Sequence, residues 1–436
     1  MKRVFLFLQG SSCHFFPALG KALAERGYGV RRINASGGDW YFWRDWNAVD
    51  YKGDPADFGA FVKSKIQSDG VTDIVLYNDC RPLHRFGIEA ARSRGCRVWV
   101  FEEGYLRPYW LTLEEGGVNG HSSLIHEAGR SCFEAIEDRD NDNEILYTPT
   151  SSALFWRVLY DFQWQGWNYL LHFRYPRYKT HRPFPIWAEY ATWAMRLAKL
   201  PLSRRRAAET IAGLVRSEAS YYVFPMQLES DSQVVAHSDF SGMEQALESA
   251  IQSFANHAPN GTQFVVKLHP MDNGWINFRR ITGELAARYG VADRVVYIDG
   301  GNLDTLIDGS QGIVTLNSTV GLSALKRGKP VICLAKAVFN LPGLTFRGGL
   351  DSFWVEKSPP DNALLRGFLA YLMKHALIVG DFYTSEGVAL AVTNAIDRFE
   401  RLGPEDTRLD QDGGEPQASA HDGERRLSVS AMRSVS

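Results

Sequence analysis

The sequence predicts an α/β protein of two Rossmann-like domains facing a cleft, with a helical, basic and aromatic insertion between them. Three observations predict it. Short apolar runs alternate with amphipathic helical stretches over residues 1–105, and the same alternation resumes near residue 220. Between them, 150–217 shows no strand pattern and interleaves Trp with Arg and Lys. Continuous apolar strands joined by helical crossovers belong to parallel sheets covered on both faces. The expected divisions are 1–150, 151–218 and 219–402, with the last helices returning to the first domain. A tail over 403–436, rich in Gly, Ser, Asp and Arg, has the composition of a disordered segment.

Taken in order, an apolar strand over 4–9 ends in Gly-Ser-Ser, and a helix over 16–26 stops at Gly27. Strands over 30–33, 74–77 and 98–101 alternate with helices over 58–67 and 86–93. The segment 101–120, FEEGYLRPYWLTLEEGGVNG, reads as a glycine-slackened loop crowded with carboxylates and rings. In the second half, strands fall at 221–226, 264–268, 295–298, 313–316 and 331–334. Helices at 242–255 and 276–289 lie among them, and helices at 363–374 and 386–401 close the chain. Ligands of such sheets bind beyond the carboxyl ends of strands. That rule singles out 9–14, 78–85 and 102–107 in the first half.

The chain has 436 residues, 45% of them hydrophobic and 22% charged, enough for large buried cores. A net charge of −2 argues against a nucleic-acid partner. The five Cys (13, 80, 96, 132 and 333) are scattered, without a CxxC pair, so neither a disulfide framework nor a zinc motif is expected, and a reducing, cytoplasmic setting fits. The N-terminal apolar run is too short for a signal peptide. No run of residues suits a membrane span.

Candidate binding residues follow from the strand ends. Lys267, His269 and Pro270 end a strand in VVKLHP, where a cation and an imidazole can reach a phosphate. In LNSTVG, Asn317 or Ser318 caps a helix, and the amides of Ser318, Thr319 and Val320 can take an anion. Because both elements end strands of one sheet, together they predict a nucleotide phosphate site. Gln227 and Asp231 follow the first strand of the second half, with Asp231 readable also as a loop Asx-turn. Asp79 opens a helix as a cap or a site residue. Arg81, His84 and Arg85 beside it suggest a bound anion. Glu102, Glu103 and Arg107 end the fourth strand. If alternation holds to that end, only one of the two Glu residues faces the cleft.

The motifs YNDCRPLHR, FEEGYLRPYWLTLEEGGVNGHSSL, PMQLESDSQ, KLHP and LNSTVG together resemble the KpsS/LipA-type capsule polysaccharide proteins, over residues 5–401. This family is similar to the KpsC-type proteins. The resemblance implies a GT-B-like, retaining β-Kdo glycosyltransferase that uses CMP-Kdo as donor, with no metal and no other cofactor. It implies a lysophosphatidylglycerol-type phospholipid acceptor at the inner face of the bacterial inner membrane. It also implies a KpsC-type transferase and the capsule export machinery as partners. Under it Asp231 is the nucleophile candidate, and Glu103 or Glu102 the acid/base. His269 and Asn317–Thr319 hold the phosphate, and Arg81 and Arg107 meet a carboxylate or phosphate. The basic, aromatic middle then suits an anionic membrane surface, although it reads equally as a packed helical insertion with a solvated face. A non-catalytic export or assembly factor on the same scaffold, or a transferase of another CMP-activated ulosonic acid, are the alternatives.

Overall fold

Two sheets carry the structure, a computed structural model that describes residues 2–122, 133, 153–180, 186–217, 220–229 and 232–402. The expected tail and Asp231 lie outside the described residues. Both sheets fall within one compact unit, Met1–Ile396.

In the first sheet, β1 (Val4–Phe7), β2 (Gly29–Asn34), β3 (Ala48–Asp50), β4 (Asp73–Tyr77) and β5 (Arg97–Glu103) are parallel, in the spatial order 3-2-1-4-5. Two antiparallel strands extend it past β5: β6 (Trp110–Glu115) and, from far along the chain, β12 (Leu377–Val379). The second sheet is wholly parallel: β7 (Tyr221–Pro225), β8 (Gln263–Lys267), β9 (Val295–Ile298), β10 (Gly312–Thr315) and β11 (Val331–Cys333). Its spatial order, β9-β8-β7-β10-β11, repeats the 3-2-1-4-5 pattern. Each sheet therefore has a switch point, between β1 and β4 and between β7 and β10. The crevice beyond the carboxyl ends at such a point is where α/β sheets bind ligands.

The strands are apolar because both faces are covered. Phe5, Phe7, Trp99, Val100 and Phe101 are fully buried in the first sheet, as are Val223, Phe224, Val265 and Val266 in the second. The flanking helices of the first half are α1 (Phe15–Glu25), α2 (Gly37–Trp43), α3 (Phe58–Asp69) and α4 (Pro82–Arg92). The aromatic middle folds as α5 (Ala153–Leu170) and the long α6 (Ile186–Arg216). α5 lies on α2 at unusually close range. A Cβ at Gly37 would stand 2.2 Å from the Trp167 carbonyl oxygen, and one at Gly38 2.4 Å from the Trp164 ring. Asn168 Oδ1 accepts the Gly38 amide at 2.7 Å. α6 serves the second sheet, burying Ala207, Ile211 and Leu214 in its core.

Three expectations change. Residues 101–115 are no slack loop: β5 runs on through Glu103, and β6 returns beside it with Glu102 opposite Thr112 and Glu103 opposite Leu111. The carboxylates are tolerated because they are paired. Glu114, buried within β6, accepts hydrogen bonds from Tyr105 (2.6 Å) and from the Ser122 hydroxyl. The expected helix over 86–93 begins earlier, at Pro82, whose missing N–H costs nothing in a first turn. α2 has no counterpart in the sequence reading, because Gly-Gly at its start is a poor helix former. Its cap, the Ser36 hydroxyl accepting the Asp39 amide, supplies the start instead.

Candidate active site

The carboxyl ends of β5 and β8 bring together the groups best suited to chemistry. Glu103 ends β5. Its Oε1 accepts the Tyr383 hydroxyl at 3.0 Å and lies 3.6 Å from Arg157 Nη1. Tyr383 and then Glu103 raise the pKa of Arg157 above its ordinary value, so the guanidinium stays charged. Glu102 is oriented otherwise, its Oε1 accepting the amide of Glu103 at 3.1 Å. Its charge is felt by Cys80 and Tyr105.

His269 stands just beyond β8. Its Nδ1 accepts the Met271 amide at 3.1 Å, which leaves Nε2 as the outward nitrogen. Burial, and then Arg107, Lys267, Arg157 and Arg196 around it, lower its pKa to about 4. The ring is neutral, and the positive field of four cations around it favours an anion. Arg157 is in contact with Glu103, and its charge also reaches His269, so the two strand ends share its electrostatic field. Lys267 is buried and donates to the Leu268 carbonyl at 3.2 Å. Burial lowers its pKa, Asp299 opposes this and Arg196 adds to it. Pro270 is exposed in the turn that follows.

At the second sheet's switch point, Gln227 and Asn317 are buried and joined by a 2.9 Å hydrogen bond, with the Asn317 amide on Gln227 Oε1 at 3.3 Å. Ser318 is the cap of α8 (Thr319–Lys326), its hydroxyl accepting the Val320 amide at 3.3 Å, while its own amide meets Thr315 Oγ1 at 3.3 Å. Thr319 opens the helix, half-buried. Two of the three amides expected to hold an anion are thus engaged in the cap, through long bonds that an anion can displace.

The first sheet's switch point corrects one expectation. Arg81 Nη1 donates to the Gly10 carbonyl at 2.9 Å and its guanidinium lies over Tyr77, so the residue braces the crevice between β1 and β4. His84 is fully buried, with Nδ1 on the Asn78 carbonyl at 2.6 Å. Burial and then Arg81 lower its pKa to about 3, so it is not the second cation of an anion site. Asp79 is buried too, and turned toward Cys80, His121 and His237 rather than toward Glu103. Arg107 is exposed and near His269.

Sequence reasoning missed Arg157, Tyr383 and Arg196. The one usable signal was that Arg157 is the sole cation of α5, amid rings.

A profile of the family described as "Capsule polysaccharide biosynthesis protein" matches residues 72–383. The chain is 29% identical to the capsule polysaccharide export protein KpsS of Escherichia coli, over 87% of this chain and 96% of that one. It is 31% identical to the capsule polysaccharide modification protein LipB of Neisseria meningitidis serogroup B, over 87% of this chain and 91% of that one. Among solved structures it is similar to Thermosulfurimonas dismutans KpsC, a beta Kdo 2,7 transferase, at 14% identity and a TM-score of 0.45, over 91% and 99% of the two chains.

Proposed function

Because the chain belongs to the capsule polysaccharide biosynthesis protein family, we propose that it is a glycosyltransferase moving Kdo from CMP-Kdo, with retention, to a lysophosphatidylglycerol-type acceptor to start the poly-Kdo linker of a capsule. The observation that carries the reading is the Glu103–Arg157–His269 grouping. A carboxylate at the end of one Rossmann-like sheet lies against a guanidinium whose charge also reaches the imidazole at a strand end of the other. A sugar nucleotide needs that combination: cations and helix amides for the leaving phosphate, and a carboxylate for the acceptor proton.

In the proposed sequence, the Asp231 carboxylate attacks the anomeric carbon of Kdo and the bond to the CMP phosphate oxygen breaks. His269, Arg107, Lys267 and the start of α8 around Asn317–Thr319 offset the charge that collects on CMP. The acceptor hydroxyl then displaces Asp231 from the same carbon, while Glu103 takes its proton, so two inversions give retention. Gln227 holds Asn317 in place. Helix amides and side-chain cations suffice for a monophosphate leaving group, so this step calls for no metal.

Membrane association at the inner face is the companion proposal. Among the described residues, no helix is long and apolar enough to cross a membrane. The outer face of α5 and the turn after it carries Phe155, Val158, Phe162, Tyr169 and Phe173, each more than half exposed and spaced at helical periods. Exposed Arg177 and Lys179 follow. An apolar stripe beside cations suits an anionic lipid surface. It would bring the chain to its acceptor, to a KpsC-type transferase and to the export machinery.

The test is to incubate purified protein with CMP-Kdo and lysophosphatidylglycerol and to analyse the lipid by mass spectrometry. A Kdo–lipid product that disappears with Asp231→Ala and Glu103→Gln is expected. Undiminished product from both variants overturns the mechanism. No product from wild type favours an export or assembly role, which the name of the Escherichia coli relative suggests for that protein. Product only from another CMP-activated ulosonic acid changes the donor and keeps the chemistry.

A further inference from the structure

A second group of reactive side chains lies apart from the Glu103–His269 pair. Asp79 and Cys80 follow β4, His121 ends the turn after β6, and His237 ends the short helix α7 (Ser232–His237), which follows the second sheet's first strand. One donor atom of each lies within 4.8 Å of the donors of the other three. Cys80 Sγ is 3.2 Å from Asp79 Oδ1 and 3.4 Å from His237 Nε2, and His121 Nδ1 is 3.1 Å from Asp79 Oδ2. In a tetrahedral zinc site with bonds of about 2.0–2.3 Å, ligand atoms stand roughly 3.3–3.8 Å apart. Three of the separations, 3.1, 3.2 and 3.4 Å, fall within a few tenths of an ångström of those edges, and the rest stay within 4.8 Å.

Three further features mark this as a built arrangement. The Val118 amide donates to Asp79 Oδ2 at 3.1 Å, which fixes the carboxylate, as the supporting partners of metal ligands do. A Cβ at Gly120 would stand 2.5 Å from His237 Nδ1, so only glycine lets that imidazole approach. Asn119 between the ligand-bearing stretches takes a left-handed φ of 56°, which turns His121 back toward Asp79. Asp79 and His237 are buried, while His121 is half exposed and leaves a path for an ion.

We propose that Asp79, Cys80, His121 and His237 bind one transition-metal ion, with zinc the ion this nitrogen, oxygen and sulfur set fits, and that the bound ion fastens the second sheet to the first beside the cleft. Binding converts the Cys80 thiol to a thiolate and releases its proton to solvent. The two imidazoles bind as neutral rings. The ion would limit how far the cleft opens, because its ligands come from both sheets. The proposal is independent of which sugar, if any, is transferred.

The purified full-length chain, stripped with a chelator, is titrated with zinc alone and separately with cobalt as a spectroscopic probe. Stoichiometric binding is expected, with a thiolate-to-cobalt charge-transfer band, tetrahedral visible bands and a zinc-dependent rise in melting temperature. Cys80→Ser should remove the charge-transfer band, and both Cys80→Ser and His121→Ala should weaken zinc binding by about tenfold or more. Cys333→Ser should change nothing, and circular dichroism identifies variants that keep the fold. Failure of the stripped wild type to bind either ion overturns the proposal. So does equal binding by well-folded Cys80→Ser and His121→Ala.

Discussion

Glu102 and Glu103 are adjacent, yet strand geometry separates their duties. Successive side chains of β5 point to opposite faces, so Glu103 meets Tyr383 and Arg157 while the Glu102 carboxylate takes the Glu103 amide. If Glu103 is the acid/base, Glu103→Gln lowers kcat by roughly 10²–10⁴-fold, and Glu102→Gln by far less, with both melting near wild type. Comparable losses from the two would refute this assignment. Tyr383→Phe removes a hydrogen bond to a carboxylate, an interaction worth roughly 1.5–3 kcal/mol, so a fall in kcat of about tenfold or more with KM little changed is expected. The histidines set an acid limit. His84 and His269 have folded-state pKa values lowered to about 3 and about 4 from an ordinary 6.5. Below 6.5 the unfolded chain takes up protons that the folded chain refuses, so stability falls as pH drops from 6.5 toward 4. His269→Asn should flatten that loss in chemical-denaturation measurements, and an unchanged slope would exclude His269 as a source.

At the scale of elements, the β5–β6 pair is where sequence and structure differ most usefully. The run from Phe101 to Gly120 carries Glu at 102, 103, 114 and 115, and its glycines suggest slack. Its strand character appears only once partners exist: Tyr105 and Ser122 for Glu114, Arg97 for Glu115 and Tyr383 for Glu103. Gly104 serves close packing, since a Cβ there would stand 2.1 Å from the Trp110 carbonyl oxygen. Gly104→Ala should therefore splay the two strands, lower the melting temperature by several degrees and abolish activity, as read by circular dichroism and the transfer assay. Gly37→Ala should detach α5 from α2 in the same way, because its Cβ would meet the Trp167 carbonyl. That substitution should also reduce activity, since α5 carries Arg157.

For the molecule as a whole, two sheets share the 3-2-1-4-5 order, and the carboxyl end of one strand in each carries complementary groups, the Glu103 carboxylate on β5 and the cations about Lys267 and His269 after β8. The exposed α5 stripe adds a testable surface. Flotation with anionic vesicles should carry the wild type upward, less so at high salt, and the double variant Phe155→Ser, Phe162→Ser should stay below. Flotation that survives that substitution would move the membrane contact elsewhere. The sequence by itself determined the parallel α/β halves, the helical middle and the strand ends that bear Lys267, His269, Asn317, Ser318 and Glu103, because apolar periodicity, capping residues and turn residues are local properties of the chain. Only the tertiary structure decided which Glu of β5 meets Arg157 and that β12 crosses back to close the first sheet. It alone also decided that Asp79 gathers Cys80, His121 and His237. These outcomes depend on groups distant along the chain, 157 positions in the case of Cys80 and His237. No local pattern encodes such contacts, because packing and burial create them.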